Sequence, residues 1–179
     1  MDKKKSPFAA INKKYMVILG ILLLLLLLFK KILVIGILSV ASFFVSYFIN
    51  NLQIRTIGLE LATLAAVLSG KAYGPITGFI VGFVLILFHL IMSGYVGMYF
   101  IWVIPSYAIV GLMAGVFSGV NIVTLGIIST ILLNIVYLSF TLMTSPERLM
   151  VLLPYSVTNV IINVILFTTI AQPLLSIIK

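Results

Sequence analysis

The sequence predicts an all-α integral membrane protein, a six-helix bundle from residue 32 onward with an additional hydrophobic helix in front of it. Three observations carry this prediction. Hydrophobic residues make up 63% of the chain and charged residues only 8%, which leaves too little polar surface to coat a soluble globule. Runs such as ILLLLLLLF and IVTLGIISTILLNIVYLSFTLM are apolar on every face, whereas the strands of a membrane barrel alternate polar and apolar residues. At about 20 residues per crossing, a chain of 179 residues has room for six or seven spans. The expected location is the cell membrane, crossed several times.

The elements follow in order. Residues 1–14 form a basic tail with Lys3, Lys4, Lys5, Lys13 and Lys14, the flank expected on the cytoplasmic side of a first hydrophobic segment. No small-residue cleavage site follows the leucine run, because Phe29 leads straight into Lys30 and Lys31, so no cleavage is expected. Hydrophobic segments are predicted at 15–29, 32–49, 57–70, 75–92, 98–118, 121–143 and 150–178. The first reaches only about 22 Å as a helix, short of a hydrocarbon core of about 30 Å. It tilts, continues into the next helix, or spans a thinned bilayer. If it does not cross, the tail lysines share the inside with Lys30, Lys31, Lys71 and Lys179, and only Arg55 and Arg148 lie outside. If it crosses, Arg55 and Arg148 join the tail and the other four move outside. The first arrangement has the stronger positive-inside bias and gives six spans with both ends cytoplasmic; seven remains the alternative.

Residues Ala62, Ala66, Gly70, Gly74, Gly78 and Gly82 recur every four positions, making a narrow strip without side chains where neighbouring helices approach closely. Gly74-Pro75 interrupts it, since proline lacks a backbone donor and disfavours helix at the residue before it. Two helices are therefore expected, with Lys71 near their turn. Gly111, Gly115 and Gly119 form a second strip on the fifth segment. Helix packing accounts for both.

Polar and aromatic groups in lipid are costly and face a bundle interior or a cavity. In the six-span arrangement Glu60, His89, Trp102, Tyr95, Tyr99, Asn134 and Tyr137 all fall in the outer half, and Tyr155, Asn159 and Asn163 descend one stripe of the last helix. The loop carrying Asn50, Asn51, Gln53 and Arg55 lies on the same side. An outward-facing pocket follows, with Asn51, Glu60, His89, Tyr99, Trp102, Tyr155, Asn159 and Asn163 as candidate substrate-binding residues. Aromatic walls and few hydrogen-bonding groups suit a small, planar or apolar ligand better than a highly charged one. Each residue has a plainer reading as well. The asparagines serve as interhelical hydrogen-bond partners, Glu60 and His89 pair with each other, Trp102 and the tyrosines anchor at the interface, and Glu147 and Arg148 form a solvated loop pair.

The stretch IGLELATLAAVLSGKAYGPITGFIVGFVLILFHLIMSG, with its G-x-x-x-GP-x-x-G-x-x-x-G core, resembles the second and third helices of substrate-binding S components of energy-coupling-factor transporters. The C-terminal LLPYSVTNVIINVILFTTIAQPLLSIIK resembles that family's last helix, where a proline near the outer end precedes an asparagine and a long apolar stretch. The resemblance implies a six-helix S-component-like bundle whose ligand, a vitamin-like or other small solute, sits in the outer half. A loop between the first two helices, here Asn51 to Thr56, would cover it. It also implies a transmembrane coupling subunit and ABC-type ATPases as partners, with membrane lipid around them. Ser42 and Ser46 stand where the family's first helix carries an alanine motif that contacts the coupling subunit. The chain has no G-x-x-x-x-G-K-[ST] loop of its own to hold a nucleotide phosphate.

Other functions fare less well. The chain has no cysteine, one histidine and three acidic residues, a thin inventory for a metal site or a catalytic cluster, and no cofactor or enzymatic activity is expected. Gly115-Val116-Phe117-Ser118-Gly119 differs in spacing from the intramembrane GxSG pattern and falls on the side away from His89. The net charge of +8 sits at helix ends and in the tail and not along one face, which argues against nucleic acid. The competing reading is a non-catalytic membrane scaffold of the size of the cell-shape protein MreD. The two differ in whether the polar residues converge on a cavity.

Overall fold

A computed structural model describes residues 13–52, 56–92 and 97–178. The tail up to residue 12, Gln53, Arg55, Tyr95 and Lys179 lie outside the described residues. Helices run as α1 Lys13–Leu28, α2 Lys30–Asn51, α3 Ala62–Tyr73, α4 Pro75–Met92, α5 Phe100–Val116, α6 Ile122–Thr144, α7 Leu149–Leu166 and α8 Gln172–Ile178. A 3-10 turn, Pro146–Arg148, leads into α7, and a π-turn, Phe167–Ala171, joins α7 to α8. Among the described residues there is no strand. Among the described residues four stretches are long and apolar enough to cross a membrane: Lys30–Asn51, Pro75–Met92, Ile122–Thr144 and Pro146–Ile178.

The third segment departs most from expectation. Its helix starts at Ala62 and not near residue 57, and its 12 residues reach only about 18 Å. The delay has a local cause. Glu60 Oε2 accepts the Thr63 N–H at 2.8 Å, capping the first turn, while the Gly58 N–H donates to Thr158 Oγ1 at 2.8 Å and Gly58 O accepts from Asn159 Nδ2 at 2.8 Å. With its hydrogen bonds spent on α7, Gly58 does not start a helix. Short as it is, α3 is the centre of the bundle, and every residue from Ala62 to Gly70 is buried.

Around it the small residues interlock. A methyl group at Gly115 would strike Gly74 and Pro75, one at Gly78 would strike the Gly111 carbonyl, and one at Gly82 would strike the Tyr107 carbonyl. Each step moves four residues along α4 and four back along α5, so one antiparallel seam holds the two helices at backbone contact. Gly70 of α3 meets Gly111 as well, which makes this a three-helix junction. Gly74 adopts φ 98°, open to glycine without strain, and Pro75 opens α4. Gly119, expected to extend the strip, has open space around it, because α5 has ended by Val116.

The remaining helices flank this core: α2 lies against α4, and α6 pairs with α7. The stripe Tyr155, Asn159, Asn163, Phe167, Ala171 repeats every four residues. A straight helix would rotate it by about 40° per step, and the π-turn takes up part of that drift. Phe167 thereby reaches full burial against Gly126. Lys31 and Lys71 lie at one end of the bundle. Lys71 Nζ donates to the Ser118 carbonyl at 2.6 Å and to that of Val120, closing the C-terminal turn of α5. Lys31 Nζ donates to Thr77 Oγ1 at 3.1 Å and lies 5.2 Å from the Tyr73 ring centre. Ser42 and Ser46, which stand in place of the family's alanine contact motif, are buried inside the bundle.

Candidate functional site

At the end opposite Lys71 the helices part. Continuing the α4–α5 seam by one step replaces glycine with Ile86 and Val103, and both line a cavity of about 910 Å³, near the upper end of the roughly 300–1,000 Å³ of small-molecule sites. Ile86, Leu90, Tyr107, Leu133, Asn134 and Asn159 form its buried part, and the exposed Met98, Thr144, Arg148 and Val151 form its mouth.

Of the residues singled out from sequence, His89, Tyr99, Trp102, Tyr155 and Asn159 line the cavity. Asn134 and Tyr137 join them. Asn51 does not: it is exposed, and its neighbour Asn50 takes the wall position with Nδ2 on Ser46 O at 2.8 Å. One residue turns a helix by about 100°, which is the whole difference. Glu60 and Asn163 lie behind the wall, 1% and 0% exposed. Of the candidate lid, Asn51 to Thr56, residues 53–55 lie outside the described residues; just past its far end the Gly58 N–H donates to Thr158 Oγ1 of α7 at 2.8 Å, while the Thr158 hydroxyl donates to Pro154 O at 2.7 Å.

A hydrogen-bonded chain runs from the cavity to Glu60. Asn134 Nδ2 donates to Asn159 Oδ1 at 2.8 Å, and Asn159 Nδ2 reaches Gly58 O at 2.8 Å and Glu60 Oε1 at 3.5 Å. Asn163 Nδ2 lies 3.4 Å from the same oxygen, while Asn163 Oδ1 is buried without a partner. Thr63 Oγ1 completes the shell of Glu60 at 2.5 Å. His89 does not pair with Glu60, as the plainer reading expected; its Nδ1 lies 2.7 Å from Ser46 Oγ. Glu60 is held instead by Thr63, through its N–H at 2.8 Å and its hydroxyl at 2.5 Å, with the α7 asparagines at 3.4–3.5 Å, so that donors surround a carboxylate in the bundle interior.

The aromatic wall is organised in pairs. Trp102 stacks on Phe140 with centroids 5.0 Å apart and planes 13° from parallel, and Tyr137 meets Tyr155 edge-on at 6.1 Å. Sequence reasoning missed Ser106 and Tyr107. Both are legible in hindsight, because Trp102, Val103, Ser106 and Tyr107 stand at i, i+1, i+4 and i+5 on one face of α5. It also read Arg148 only as a solvated partner of Glu147, whereas Arg148 borders the mouth. Among the described residues no three His, Cys, Asp or Glu side chains gather as metal ligands. Comparison with protein families, curated proteins and solved structures finds no match to the chain.

Proposed function

We propose that this chain is a multi-pass membrane protein that captures a small solute in the cavity, acting as the substrate-binding subunit of a transporter of the energy-coupling-factor type. The observation that carries the reading is convergence: side chains from five helices, polar and aromatic together, meet around one cavity large enough for a vitamin-sized molecule. A scaffold has no use for such a space. Lys30, Lys31 and Lys71 lie at the opposite end, so the positive-inside bias turns the mouth outward, and α1 adds a seventh hydrophobic segment. ATP-hydrolysing chains and a coupling subunit would supply the power stroke. With Ser42 and Ser46 turned inward, the surface left on α2 for such a subunit is its exposed face with Leu33, Ile37, Val40 and Phe44.

The test is purification of the full chain in detergent, with mass spectrometry of both the small molecules and the protein chains that come with it. A bound solute released by denaturation, together with an associated ATPase, is the expected result. If no solute co-purifies and none from a metabolite collection raises the melting temperature, the capture reading fails.

A further inference from the structure

The directions of the hydrogen bonds around the cavity define what its ligand must offer. A backbone carbonyl only accepts, so an asparagine atom facing one has to be the nitrogen, and this fixes the amide orientations. Asn134 Nδ2 faces Thr130 O at 2.9 Å and Asn159 Oδ1 at 2.8 Å. Both of its hydrogens are thereby used, and Oδ1 is left as the amide atom open to the cavity. Asn159 Nδ2 faces Gly58 O, which confirms that Asn159 presents its oxygen to Asn134.

The same reasoning settles His89. Ser46 Oγ sends its single hydrogen to Ser42 O at 2.8 Å, so at 2.7 Å from His89 Nδ1 it can only accept. Nδ1 therefore carries the proton of the neutral ring, and Nε2 is an acceptor. The hydroxyls on the wall repeat the pattern: Ser106 donates to Trp102 O at 2.6 Å, Thr141 to Tyr137 O at 2.9 Å and Thr144 to Phe140 O at 2.8 Å. Each spends its hydrogen on its own helix and turns lone pairs toward the cavity.

Behind this acceptor-rich wall sits Glu60, the one acidic side chain buried among the described residues, joined to it through Asn159. In a medium less polarisable than water its charge acts across that short path. Trp102, a wall residue with Phe140 stacked on its ring, is an aromatic group of the kind that attracts cations. Arg148 is the opposing charge, but it is exposed at the mouth beside Glu147, where solvent and salt screen it. The donors on the other side of the account are the Trp102 indole N–H, buried and without a partner, and the hydroxyls of Tyr99, Tyr107, Tyr137 and Tyr155, which accept as well as donate.

Building on the proposed capture function, we infer that the cavity selects an organic cation rich in N–H or O–H donors on a planar body, such as an amidinium or an aminated heterocycle, over anions of the same shape. Its donors meet Asn134 Oδ1 and His89 Nε2, and its charge is balanced by Glu60.

Trp102 is the only tryptophan in the chain, so fluorescence excited selectively at tryptophan reports on the cavity wall. The test titrates the purified full chain at mildly alkaline pH with benzamidinium, benzamide and benzoate, probes of one shape and three charges. Benzamidinium is expected to bind about tenfold tighter than benzoate, a difference of about 1.4 kcal/mol, with benzamide between them. The E60Q variant should lose about tenfold for benzamidinium and leave benzamide unchanged. Should E60Q fail to fold, the wild-type series decides by itself. Benzoate binding as tightly as benzamidinium, or E60Q weakening all three alike, overturns the inference while leaving solute capture intact. No fluorescence response to any probe overturns the inference, while solute capture stands or falls on the co-purification test.

Discussion

The two ends of the α4–α5 pair are built from opposite materials. Toward Lys71 the seam is glycine against backbone, Gly74 with Gly115 and Gly78 with Gly111, and the helices touch with no side chain between them. Toward His89 the same register continues on Ile86 and Val103, larger side chains that border about 910 Å³ of space. Side-chain volume at every fourth residue thus decides where the bundle is solid and where it is hollow. The solid end also anchors the hollow one, because α3 is clamped at Gly70 by the junction and carries Glu60 and Thr63 at its other end. A cavity wedged open by polar and aromatic groups needs such a fixed base, since its own contacts are fewer and longer.

The most severe way to break this contrast is to put volume into the seam. Gly111→Leu would drive a side chain into the Gly78 backbone, and overpacking where only backbone can move is expected to cost on the order of 4 kcal/mol or to prevent folding. Gly119→Leu, in open space, is the control and should melt like the wild type. Thermal unfolding in detergent, followed by Trp102 fluorescence, separates the two. Equal melting temperatures would show that the seam is looser than described.

The second effect falls on the polar chain at the hollow end. Asn159→Leu removes the donor to Gly58 O and the acceptor of Asn134, leaving two buried groups unpaired. A loss of about 2–3 kcal/mol is expected, read from the same melting curves. Smaller still is Ser46→Ala, which strips His89 Nδ1 of its partner for about 1 kcal/mol. Its more telling consequence is on binding: with the tautomer no longer fixed, the preference for benzamidinium over benzoate should shrink at unchanged fluorescence of the free protein.

The hydropathy pattern made the helices legible to within a few residues, and the four-residue spacing of Ala62 to Gly82 announced the seam, because size alone governs close approach. What escaped the sequence depended on partners far along the chain. The late start of α3 is decided by Thr158 and Asn159 of α7 acting on Gly58, and nothing near residue 58 signals them. Asn50 and Asn51 are chemically identical neighbours, so only the exact phase of α2 tells which one meets the cavity. Ser46 is silent until His89 lies beside it. Glu60 was identified as a functional suspect by its charge, but its position behind the wall and not in it required the geometry of the α7 stripe.

The finest distinction lies within that stripe. Asn159 and Asn163 are one turn apart on the same face, both buried, and sequence treats them alike. In the structure Asn159 joins Gly58 O and Asn134 by bonds of 2.8 Å each, whereas Asn163 bonds the carbonyl of its own helix and its Oδ1 meets nothing; both reach Glu60 only at 3.4–3.5 Å. Replacing an unpartnered buried oxygen by a methyl group of the same shape removes a penalty along with a weak bond, so the two nearly cancel. Asn163→Leu is therefore expected to change stability by less than about 1 kcal/mol and to leave the charge preference of the cavity in place, in contrast to Asn159→Leu. A large loss from Asn163→Leu in either measurement would mean that its oxygen has a partner in the working protein, and that the Glu60 shell extends one turn deeper than the hydrogen bonds indicate.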